Sequence, residues 1–107
     1  MYYYICFMSN PHEISVQAAQ TMLDAFKNNT CFNNQPRGVY FDKETILELL
    51  NQPNAVGIDY YFGVNSLNKL SLILIALDNQ NNEIASKIMD FGRENPPNSP
   101  NYTPFVF

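Results

Sequence analysis

The sequence predicts an α+β fold. A small antiparallel sheet surrounds a central hairpin at about residues 56–78, and helices at about 16–28 and 43–52 pack mainly on one face of it. Three observations carry this reading. Two segments repeat apolar residues at helical spacing behind a good N-cap. One long segment alternates, turns through polar residues and comes back almost solidly apolar. The chain has 107 residues, enough to bury roughly 60–70% of the surface its unfolded form exposes, so the fold does not depend on a metal or a disulfide.

Residues 2–8, YYYICFM, are aromatic and β-branched, and read as a strand joining the sheet through Tyr2–Phe7. Asn10-Pro11 ends it. In the next segment Ser15 is the N-cap. Val16, Ala19, Met22, Leu23 and Phe26 form one apolar stripe, and Lys27 complements the dipole in the last turn. The stretch TCFNNQPRG is a loop, and Val39–Phe41 is a short extended piece. Asp42 caps the second helix. Phe41 and Ile46 form a hydrophobic staple across its start, Ile46, Leu49 and Leu50 face one way, and Pro53 marks the end.

Val56, Ile58, Tyr60, Phe62 and Val64 share one face of a strand, and Gly57, Asp59, Tyr61, Gly63 and Asn65 share the other. This places Tyr60 and Phe62 in the core and Tyr61 on the polar face. NSLNK turns the chain. Leu70, Leu72, Leu74 and Ala76 then face one side, with Lys69, Ser71, Ile73, Ile75 and Leu77 on the other. Two apolar faces imply a strand covered on both sides or a patch used for association. DNQNN ends the hairpin with turn chemistry. Residues 83–91, EIASKIMDF, fit both a helix and a strand, with the balance towards an extended or mixed segment. Residues 1–92 read as one domain and 93–107 as a Pro-rich tail of polyproline II character that ends in an apolar FVF.

Composition excludes more than it assigns. The formal charge is −4 with six Lys and Arg. No two of these basic residues are adjacent, so neither nucleic acid nor an anionic membrane finds a basic groove. No segment is a transmembrane helix or a signal peptide, and a cytoplasmic protein is the expectation. His12, Cys6 and Cys31 have no metal-site spacing, so no metal and no cofactor is expected; whether Cys6 and Cys31 pair stays open. No catalytic residue is assigned: Cys31 and His12 are candidates for a nucleophile and its base, but no family signature surrounds either, and they read first as a small buried thiol and a surface loop histidine. The candidate binding residues are Tyr61 and Asp59 on the polar face, Ile73 and Ile75 on the second apolar face, and Phe105 and Phe107 in the tail.

The runs LLNQP, VGIDYYFG and NPPNS resemble the pattern of a group of small bacterial α+β proteins to which no activity is assigned. That group has an Arg where this chain has Asp59. It also carries a C-terminal CPPxC, where this chain has Asn95 and Ser99 in place of the two cysteines. The resemblance implies one compact α+β domain and carries no metal or disulfide role to this chain. The residues favour a non-catalytic interaction protein: an adaptor, an inhibitor or immunity-type protein, or an assembly subunit. Its partner is a protein or a second copy, met through the apolar strand surface or the termini. The alternative is a small-molecule binder or hydrolase with a cleft near Cys31, His12 and Tyr61.

Overall fold

The computed structural model describes residues 10–95 and 100–106. The expectations for Tyr2–Phe7, Cys6 and Phe107 lie outside the described residues. The described chain forms two compact units, one from residues 10–33 with 100–106, the other from residues 34–95.

In the first unit, α1 spans Val16–Lys27. Ser15 adopts extended backbone geometry and its Oγ accepts the Ala18 N–H, as an N-cap should. Asn28 closes the other end through its backbone N–H. A single 3₁₀ turn follows at Thr30–Phe32, capped by the side chain of Asn29. It stacks Phe32 on Phe26 with ring centroids 4.6 Å apart. The tail returns to α1: Gln20 donates Nε2–H to the Val106 carbonyl at 2.8 Å and accepts the Val106 N–H on Oε1 at 2.9 Å. One amide side chain thus imitates a strand neighbour for one tail residue.

The second unit is the α+β body. Strand β1 (Gly38–Tyr40) leads into helix α2 (Lys43–Leu50), whose N-cap Asp42 accepts the Thr45 N–H. Strands β2 (Ala55–Val64), β3 (Leu70–Asp78) and β4 (Glu83–Met89) form an antiparallel sheet in that order. Residues 83–89 are therefore extended. Strand β5 (Arg93–Asn95) pairs antiparallel with β1 as a separate ribbon, so the first residues of the Pro-rich segment are ordered by a partner that local composition does not reveal.

The two hairpin loops repeat one design. Asn65 Oδ1 accepts the N–H groups of Leu67 and Lys69, and Asp78 Oδ1 accepts those of Gln80 and Asn82. The fourth residue of each loop, Asn68 or Asn81, holds a positive φ. Asparagine tolerates that region because its short polar side chain bonds locally. The asparagine excess thus has conformational uses as well as polar ones.

The core lies between α2 and one face of the sheet. Leu49, Leu74 and Ala76 are fully buried, with Ile46, Ile58, Leu72, Ile84 and Met89 packed around them. Gln52 is buried with its amide satisfied: Nε2–H donates to the Leu49 carbonyl and Oε1 accepts from the Ser86 hydroxyl. Tyr60 and Phe62 depart from the expectation that they belong to the core; Phe62 is 83% exposed and Tyr60 54%. The reason is length. Helix α2 has eight residues and β2 ten, about 12 Å against about 33 Å. The helix therefore covers the Ile58 end of β2 and leaves the Val64 end bare.

Candidate interaction surface

Strand β2 is an edge of the three-stranded sheet among the described residues. Its phase follows from the loop: the Asn65 N–H donates to the Lys69 carbonyl at 2.9 Å, and Val64 pairs with Leu70. Antiparallel partners alternate between bonded and non-bonded pairs. The odd-numbered residues from Gly57 to Gly63 therefore point their backbone groups at β3. Ile58, Tyr60, Phe62 and Val64 point theirs away, at an edge that no strand among the described residues occupies.

The two sheet edges are treated differently. Opposite β4, Ile75 pairs with Ile88 and Ala76 with Ile84, leaving Ala85, Ser86 and Lys87 as an unpaired bulge. Lys87 there reaches Glu48 of α2 at 3.1 Å. A bulge and a lysine are standard protections against strand pairing. From Gly57 to Val64, β2 has no proline, lysine or bulge, its sole register shift lying before Gly57. Val56, Tyr60, Tyr61, Phe62 and Val64 are all exposed along it.

Four of the six residues assigned to binding from sequence come together on the odd-numbered face. Asp59 lies opposite Ile75 and Tyr61 opposite Ile73. Ile75 is buried there, and Ile73 and Asp59 are half-buried. Gly63 leaves room for Ile73, whose Cδ1 would stand 3.2 Å from an added Cβ. Glu83 of β4 completes the group and is absent from the sequence reading. Tyr61 O–H donates to Glu83 Oε2. The hydrogen bond to Glu83, then partial desolvation and the nearby Glu83 charge, raises the Asp59 carboxyl above its ordinary range. The same contact raises the Tyr61 phenol. Only the β3–β4 register brings Glu83 beside β2, so no local pattern announces it. Phe105 belongs to the tail of the first unit, half-buried.

Cys31 is an exposed free thiol in the 3₁₀ turn, and His12 is exposed in the turn that opens the first unit. The backbone N–H of Cys31 donates to Asn29 Oδ1, and that of His12 to Asn10 Oδ1. Tyr61 belongs to the other unit. Two concavities flank the corner at Phe91–Gly92. One, of about 250 Å³, is lined in part by Val39, Leu70 and Glu94; the other, of about 280 Å³, by Tyr40, Asp42 and Arg93. Neither is lined by Cys31, His12 or Tyr61.

Among the described residues, no helix is long and apolar enough to cross a membrane, and no group of three or more His, Cys, Asp or Glu is placed to hold a metal ion. No protein family model, curated protein or solved structure matches this chain.

Proposed function

We propose that this protein is a non-catalytic interaction module that binds a protein strand along the open edge of β2. The observation that carries the reading is the asymmetry of the sheet: one edge is bulged and guarded by Lys87, while the other is long, aromatic and unguarded. Outward N–H and C=O groups give a strand partner its affinity, and alternating side chains give it selectivity. Aromatic side chains such as Tyr60, Tyr61 and Phe62 are the residue types that dominate interface energetics. The acidic balance and the lack of a basic cluster fit a protein partner better than nucleic acid.

The test is capture from native-cell extract with wild-type protein and with Phe62→Lys. The lysine places a charge on the edge at a site exposed enough to accept it. A protein retained by the wild type and lost with the variant supports edge binding. Equal retention by both would overturn it.

A further inference from the structure

The edge of β2 is self-complementary. Read about Tyr60, the run Val56-Gly57-Ile58-Asp59-Tyr60-Tyr61-Phe62-Gly63-Val64 is a chemical palindrome: Val against Val, Gly against Gly, Ile58 against Phe62, and Asp59 against Tyr61. The geometry points to a second copy of this chain as the occupant, its β2 laid antiparallel on this β2 about a two-fold axis at Tyr60. This rests on the strand-binding reading above and names its partner.

Backbone phase and side-chain chemistry agree on that register. Ile58, Tyr60 and Phe62 are the residues whose backbone groups face outward, as derived from the Asn65–Lys69 bond and the Val64–Leu70 pairing. Centring the axis on Tyr60 sets Tyr60 against Tyr60 and Ile58 against Phe62, so each pair exchanges both backbone bonds. Moving one strand by one residue would face outward groups with inward ones and lose the ladder.

The side chains follow. On the helix-bearing face the pairing joins Tyr60 to Tyr60, and sets Phe62 of each copy, exposed beyond the reach of the short helix, beside the other copy's half-buried Ile58, so that aromatic surface now exposed is covered. Aromatic–aromatic and aromatic–β-branched neighbours are favourable cross-strand pairs. On the other face Asp59 lies opposite a Tyr61 rather than another carboxylate. Gly57 opposite Gly63 leaves those positions flat. The two Asp59 side chains are diagonal neighbours, roughly 7–8 Å apart. A two-fold contact also closes on itself, so the unguarded edges disappear and no fibre propagates.

The experiment measures mass by sedimentation and light scattering from about 1 µM to 500 µM, then register by cysteine cross-linking. Wild type is expected to shift from monomer to dimer with concentration. Tyr60→Pro and Phe62→Lys should stay monomeric over the same range. The proline removes only an outward N–H, which an edge strand tolerates, and the lysine variant guards against a folding defect in the first. In a Cys6→Ser, Cys31→Ser background, Tyr60→Cys should cross-link to itself. Ile58→Cys and Phe62→Cys should each cross-link poorly alone and readily when mixed. A wild type monomeric throughout would overturn the inference, as would Phe62→Cys cross-linking to itself as fast as Tyr60→Cys. If the chain is monomeric yet Phe62→Lys still loses a different protein from extract, the interaction reading survives with another occupant. If neither changes, both fall.

Discussion

Phe91 holds its backbone at φ 59° with its ring almost fully exposed, while every other described non-glycine residue with positive φ is an asparagine. A bulky residue there is strained, and the corner must be fixed by what surrounds it. Gly92 does the fixing. A Cβ at that position would overlap Val39 Cγ1 and stand 2.6 Å from the Phe41 ring. Gly92→Ala is therefore expected to cost about 1–3 kcal/mol, the usual range for overpacking, as a lowered urea midpoint; an unchanged midpoint would mean that Val39 and Phe41 move aside freely. A second residue-scale expectation concerns pH. The Asp59 carboxyl is raised in the folded protein, so the fold binds its proton more tightly than the unfolded chain does. Its contribution is fully present below the ordinary aspartate range. It is lost as pH rises through the folded value. Glu83→Gln removes the partner that causes the rise. Thermal melts between pH 4 and pH 7 should show the variant gaining on wild type as pH rises, and a constant difference would contradict the coupling.

At the scale of elements, the two hairpins differ in sequence but share a loop: an Asx acceptor at the first position and an asparagine in the left-handed region at the fourth. Asn68→Ala is expected to destabilise by about 1–2 kcal/mol, because a Cβ penalises that backbone region. Asn68→Gly should be much closer to wild type. Denaturant melts compare the two, and equal losses would assign the role to the Asn68 side chain instead. In β3, Leu74 is fully buried between α2 and the flanking strands. Leu74→Ala should cost about 2–5 kcal/mol. Glu48→Ala loses one exposed ion pair with Lys87, worth about 0–1 kcal/mol. Similar losses in the two variants would mean β3 is not the centre of the sheet.

At the scale of the molecule, the tail residues 100–106 belong with α1, and the doubly bonded Gln20–Val106 contact ties them there. The apolar end Thr103–Val106 is thus held by a helix side chain. Gln20→Ala removes both bonds at an exposed site. Limited proteolysis should then cut the segment after Pro100 faster, while α1 itself keeps its helical circular dichroism. Cleavage at an unchanged rate would place the restraint in the apolar contacts of the tail rather than in that amide.

Much of this architecture was written locally. Ser15 and Asp42 as caps, the spans of both helices, both hairpin loops and the central place of Leu74 follow from hydrogen-bonding side chains and apolar spacing that act within a few residues. The β2 palindrome is also local and legible, although its meaning depends on which backbone groups face outward. Alternation says which side chains share a face, but it does not say what covers that face. Tyr60, Phe62 and Val64 lie on the core side of β2 and stay exposed because an eight-residue helix cannot reach them. Glu83 meets Tyr61 and Asp59, and Arg93–Asn95 meets β1, only because strands distant in sequence pair in a particular register. Tertiary structure alone decides such register, since the loops that close it cost chain entropy and carry no trace of their partner in the local sequence.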